Sequence, residues 1–181
     1  MLKWLSAGLL RLGGWSVDVR VPDFPKALIC VAPHTSNWDF ILCELAILSV
    51  GRRSGFLMKA SWFFWPLGAF FRSIGGIAVE RRPGQSLTRQ LIEKYNESSH
   101  MVVAITPEGT RSRTDQWHTG FLRVAYETGV PLCLAGLDFR RKLIVMERTF
   151  TPSGNLDADM RAIKDYYSSF TALYPEKFST E

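Results

Sequence analysis

Two polar segments each follow a short apolar run. Pro33-His34-Thr35-Ser36-Asn37-Trp38-Asp39 comes directly after Ala27–Ala32 (ALICVA), and Thr106-Pro107-Glu108-Gly109-Thr110-Arg111-Ser112 comes directly after Met101–Ile105 (MVVAI). Histidine is the side chain that changes protonation near neutral pH, so His34 is a candidate general base. An imidazole serves better in that role when a carboxylate holds one ring N–H and stabilises the imidazolium that forms. Asp39 follows after four intervening residues, a gap that a strand–loop–helix turn closes. No G-x-S-x-G occurs, and Ser36 is too near His34 in sequence for a serine–base pair built across a fold. The proton that His34 would take therefore belongs to a substrate hydroxyl, which points to transfer of a group onto an alcohol. The spacing alone also suits a plainer reading, with Asp39 as a helix N-terminal residue and His34 as a loop residue. The other histidines carry less. Asp115 and His118 form a D-x-x-H with no third ligand near in sequence, so no metal is expected, and His100 precedes a strand.

These loops need elements to hold them. Apolar runs alternate with helical patterns along the chain, which predicts an α/β fold: a single domain with a mixed, mostly parallel central sheet of about seven strands flanked by helices. Strands are expected at Trp15–Val21, Ala27–Ala32, Gly55–Lys59, Gly76–Glu80, Met101–Ile105, Val130–Leu137 and Lys142–Phe150. Helices are expected at Trp38–Leu48, from Pro66 through Phe71, at Gln85–Asn96, at Gly120–Thr128 with Gly129 as its C-cap, and from about Asn155. In the last, Leu156, Met160, Ile163, Tyr167 and Phe170 fall at helical spacing on one face. Residues 1–14 read as an amphipathic N-terminal helix ahead of a domain over residues 15–181. Leu2, Leu5, Leu9 and Leu12 recur along one stripe, Trp4 flanks it, and Gly13-Gly14 ends it. That stripe either packs on the domain's core or lies in a bilayer interface, and the same alternatives hold for the aromatic stretch Trp62–Phe71.

Composition narrows the classes. Of 181 residues, 46% are hydrophobic and 22% charged, which excludes wholesale disorder and suits one domain with a real core. Three cysteines, with no C-x-x-C, give no disulfide framework and favour a reducing compartment. Net charge is +5 and is unevenly placed: residues 1–90 carry +6 and residues 91–181 carry −1, and five of the six tryptophans fall in the first part. Basic charge mixed with Trp and Phe suits an anionic membrane surface or nucleic acid, and no nucleic-acid recognition motif is present. No apolar stretch approaches the roughly 20 residues of a membrane-spanning helix.

Taken together the polar loops resemble a known family. His34-Thr-Ser-Asn-Trp-Asp39 resembles the first signature of the PlsC-like glycerolipid acyltransferases. Gly75–Arg81 (GGIAVER) resembles the second, Pro107–Ser112 (PEGTRS) the third and Val130–Gly136 (VPLCLAG) the fourth, in the family's order and over roughly residues 27–139. Lys59 and Trp62–Phe71 resemble the segment before the second signature. The resemblance implies a glycerol-3-phosphate (1)-acyltransferase-like fold. It implies transfer of a fatty acyl group from an acyl thioester, acyl-CoA or acyl carrier protein, to a hydroxyl of a lysophospholipid such as 1-acylglycerol-3-phosphate, in phospholipid biosynthesis. His34 is then the general base and Asp39 its orienting carboxylate. Arg81, Arg111 and Lys59 are candidates for the acceptor's phosphate, and Glu108, Gly109, Thr110 and Ser36 for the remaining substrate contacts. Backbone N–H groups near Gly109, or in the loop around Ser36, are candidates for the oxyanion. No cofactor, metal or covalent acyl-enzyme is implied. The protein is expected to be peripheral and monotopic, on the cytoplasmic face of a membrane. Pro33 stands where many family members have asparagine, and Asn37-Trp38 make the loop bulky. Those departures leave open another acceptor, such as a lyso-aminolipid, or a catalytically silent lipid-binding module of the same fold.

Overall fold

The computed structural model describes residues 2–80 and 86–181. In chain order the main elements are α1 (Leu2–Leu12), β1 (Ser16–Val19), β2 (Lys26–Ala32), α2 (Asn37–Ser49), β3 (Gly55–Lys59), α3 (Leu67–Ser73), β4 (Gly76–Val79), α4 (Leu87–Glu97), β5 (Met101–Ile105), α5 (Gly120–Thr128), β6 (Leu132–Asp138), β7 (Leu143–Phe150) and α6 (Leu156–Tyr167). Local chemistry sets several boundaries. Asn155 Oδ1 accepts a hydrogen bond from Ala158 N at 3.1 Å and so caps α6. Gly129, at φ +66°, ends α5 in a left-handed conformation that a side chain would resist.

The strands form one sheet in the order β1-β7-β6-β2-β5-β3-β4. Among the described residues only the β6–β7 pair is antiparallel; the other pairs run parallel. β2 therefore lies between β6 and β5, buried on both sides, which is why it reads as an unbroken apolar run. Its residues alternate between faces. Leu28, Cys30 and Ala32 join Leu91, Tyr95, Leu122, Ile163 and Tyr167 of α4, α5 and α6. Ala27, Ile29 and Val31 join Ile47 of α2 and Met146 of β7. On that second side Leu10 of α1 is buried with Leu42, Ala46, Leu137 and Ile144.

Parallel pairing of β2 with β5, from Lys26 opposite Met101 to Cys30 opposite Ile105, sends both carboxyl ends to the same edge of the sheet. The two polar loops leave side by side from there, where open α/β sheets bind ligands.

Two alternatives that the sequence leaves open are narrowed, and one expectation is corrected. The stripe Leu2, Leu5, Leu9, Leu12 is exposed, and α1 instead buries Ser6 and Leu10 against α2. The wider apolar face of the helix is left outward. The aromatic stretch is likewise largely outside the core, with Trp62, Phe64, Trp65, Leu67 and Phe70 exposed. Leu156, at the first turn of α6, is 39% exposed, although Met160, Ile163, Tyr167 and Phe170 of the same stripe are buried.

Candidate active site

His34 and Asp39 are brought together by the turn from β2 into α2. Asp39 is the third residue of α2, where its carboxylate meets unpaired N–H groups of the helix start. Its Oδ2 accepts from Thr35 N at 2.6 Å and Ser36 N at 2.7 Å, and its Oδ1 accepts from the Ser36 hydroxyl at 2.8 Å. These bonds fix a buried carboxylate and curl the loop back over it. His34 Nδ1 then lies 3.6 Å from Asp39 Oδ2, beyond a good hydrogen bond but close enough for a strong electrostatic interaction. With Nδ1 turned to Asp39, Nε2 is on the far side of the ring. The His34 side chain is only 13% exposed.

Glu108 joins this pair across the sheet. It follows β5 at the neighbouring strand end, is almost fully buried, and its Oε1 accepts from His34 N at 2.9 Å. Burial pushes the Glu108 carboxyl up to about 8, helped by the nearby Asp39 and opposed by the bond from His34. Burial lowers the pKa of His34, Asp39 opposes that shift, and the charge of Arg111 adds to it. A ring held neutral at neutral pH is the form that can accept a proton.

The remaining predicted residues fall around these three. Gly109 has φ +66°, and a Cβ there would stand 2.5 Å from the His118 ring, so both conformation and space demand glycine. Thr110 and Arg111 are exposed on the same loop, where Thr110 Oγ1 accepts from Ser112 N at 3.2 Å. Lys59 is exposed at the end of β3, the strand beyond β5. Arg81 lies outside the described residues.

Ser36 donates both its hydroxyl and its N–H to Asp39 and so braces the carboxylate. The expected oxyanion donors are also partly engaged, since Gly109 N donates to Thr106 O at 3.2 Å and Ser36 N to Asp39. Among the described residues no cluster of His, Cys, Asp or Glu has the arrangement of a metal site.

The spacing of residues gave no signal for Thr35 or for the C-terminal segment. Thr35 is buried, and its Oγ1 accepts from Tyr174 N at 3.4 Å. The chain after α6 thus returns to the His34 loop from 139 residues away. Only tertiary structure reveals such a contact.

Comparisons with known proteins bear on the family and the fold. The family profile described as Acyltransferase matches residues 18–135. That span includes both polar loops and most of β6. No curated protein matches this sequence. Among solved structures, the fold resembles the crystal structure of PlsC, the 1-acyl-sn-glycerophosphate (LPA) acyltransferase from Thermotoga maritima. The TM-score is 0.56 at 18% identity, over 94% of this chain and 80% of that one.

Proposed function

The chain belongs to the acyltransferase family, and from that premise we propose that it moves a fatty acyl group from a thioester to a free hydroxyl of a lysophospholipid. The donor is an acyl-CoA or an acyl carrier protein, and 1-acylglycerol-3-phosphate is the leading acceptor. The observation that carries this reading is the convergence of His34, Asp39 and Glu108 at two adjacent strand ends. A phosphate-bearing acceptor suits the exposed cations Arg111 and Lys59 at those ends.

In this mechanism the acceptor hydroxyl gives its proton to His34 Nε2 as its oxygen attacks the thioester carbonyl carbon. The C–O bond forms and a tetrahedral oxyanion results. Its collapse breaks the C–S bond, and the departing thiolate takes the proton back from the imidazolium. Asp39 stabilises that imidazolium through Nδ1, and the 3.6 Å separation shortens as positive charge develops on the ring. Glu108 holds the main chain of His34, which keeps the ring at the strand end.

A bilayer is the natural source of the acceptor, and the exposed apolar residues support peripheral, monotopic attachment. Trp38, Phe40 and Ile41 project from the first turns of α2, directly after the catalytic loop. Trp4 is 78% exposed on α1 and Trp65 87% exposed before α3. Among the described residues no helix is long and apolar enough to cross a membrane.

The test is to incubate the purified chain with acyl-CoA or acyl carrier protein thioesters and a panel of lyso-lipids, and to identify products by mass spectrometry. Acylated lysophosphatidate is expected; an acylated lyso-aminolipid would move the acceptor to that class. His34→Ala should lower turnover by about 10²–10⁴-fold with unchanged circular dichroism. Full activity in that variant would remove the mechanism.

A further inference from the structure

The C-terminal segment crosses the carboxyl end of the sheet. Phe139, one residue past β6, donates its N–H to Thr171 O at 2.8 Å, which seats the segment beside β6. β6 is the parallel neighbour of β2, and three residues later Tyr174 N reaches Thr35 Oγ1, next to His34. Farther on, the indole N–H of Trp117 donates to Ser179 O at 3.0 Å. The segment is therefore tied to the chain on both sides of the site, beside the catalytic loop and beyond the Glu108 loop.

This placement carries a cation to the rim. Lys177 is half-buried, and its Nζ lies 4.3 Å from the centroid of the Tyr174 ring. Among the described residues no carboxylate or carbonyl engages that ammonium, whereas Lys164 is bonded to Asp115 O and Glu181 O and Lys142 to Gly13 O. A ring face restrains an ammonium without neutralising it and leaves N–H donors free. A restrained, unneutralised cation beside a catalytic loop is suited to a phosphate.

We propose that Tyr174 and Lys177 form a phosphate-recognition subsite on the rim of the active site, in which the Lys177 ammonium, held over the Tyr174 ring, binds a phosphate group of a substrate. This rests on the acyl-transfer reading above. Both substrates of that reaction carry phosphate: the donor on its pantetheine arm, the acceptor on its glycerol. Residues 174 and 177 lie beyond the span matched by the family profile, so the subsite is a property of this chain's own C-terminal segment.

Binding is measured first, by titration calorimetry of CoA and of a short-chain 1-acylglycerol-3-phosphate into the full chain, because binding needs no turnover. Lys177→Ala should weaken one of the two by about five- to tenfold. Lys177→Met, which keeps the stem, should weaken the same ligand equally, and Lys177→Arg should restore most of the affinity. Tyr174→Ala, which frees the ammonium, should give a smaller loss. A loss confined to CoA assigns the donor, and a loss confined to the lysophosphatidate assigns the acceptor. In steady-state assays the same substrate's KM should rise.

Unaltered affinity for both ligands in the folded Lys177→Ala and Lys177→Met variants overturns the proposal. So does a fall in kcat with both KM values unchanged, and so does a wild-type chain that binds neither ligand. A wild type that binds phosphate through Lys177 yet forms no acylated product would sink the acyl-transfer reading and leave this one standing.

Discussion

At the scale of single residues, the site is a set of titratable groups whose ordinary behaviour is altered by burial. Glu108 carries a carboxyl raised to about 8, from the 4.5 of an exposed glutamate. Between those values the folded chain holds a proton that the unfolded chain has released. Its contribution to stability is thus fully present below about pH 4.5 and is lost as pH rises toward 8. Glu44 on α2, raised to about 7 by burial, adds to the same slope. Glu108→Gln keeps an oxygen for His34 N but cannot titrate, so the fall in Tm between pH 5 and 8 should become shallower. An unchanged slope would show that Glu108 does not titrate in this range. Glu108→Ala leaves the His34 N–H without its acceptor and should cost about 1–3 kcal/mol in urea unfolding.

His34 titrates the other way. Its pKa lies below the ordinary 6.5, so the acid limb of kcat/KM should lie below pH 6.5. Arg111 is one cause of that depression, and Arg111→Ala should move the limb to higher pH. A shift to lower pH would contradict the electrostatic contact.

At the scale of elements, the site exists because two strands are neighbours. Residues 34 and 108 are 74 positions apart, and parallel β2–β5 pairing puts them at one sheet edge. α6 secures the central strands from one face. The Tyr167 hydroxyl donates to Cys30 O at 2.6 Å, and Phe170, just past the helix, packs on Gly136 of β6. A Cβ at position 136 would meet that ring at 2.1 Å, far inside contact distance. Gly136→Ala should therefore destabilise the fold by about 1–3 kcal/mol through overpacking, read as a lower urea midpoint. A neutral result would mean that the C-terminal segment moves freely. The same substitution should reduce activity more than its stability cost alone explains, because Phe170 leads directly into the residues that reach Thr35.

At the scale of the whole molecule, the proposed membrane attachment rests on charge and exposed aromatics. The first half holds all of the net positive charge and the exposed tryptophans Trp4, Trp38, Trp62 and Trp65. Indole rings favour the headgroup region, and basic side chains favour anionic lipid. Replacing Trp4 and Leu5 together with serine removes apolar area without touching Leu10, the buried anchor of α1. Co-sedimentation with anionic vesicles should drop several-fold while Tm holds. Equal binding by the double variant would leave α1 as ordinary packing.

Much of this is legible in the order of the amino acids alone. The apolar runs of β2 and β5 announce buried strands because a strand covered on both faces has no polar side. His34, Asp39 and Glu108 sit in polar segments at those strand ends, and the order of short signatures marks the family. Gly109 falls in one of those segments, and its φ of +66° is a conformation that glycine adopts readily. Periodicity also shows that α1 has an apolar face, but not where that face points. A helix stripe reports which residues are alike, and only the neighbouring elements decide whether anything covers them. Ser36 is the same kind of case: its type suits a ligand, and only the loop's curl shows its hydroxyl committed to Asp39. The reach of Tyr174 to Thr35 is hidden altogether, because contacts between distant parts of a chain follow from how the sheet edge is closed, and local spacing carries no record of that closure.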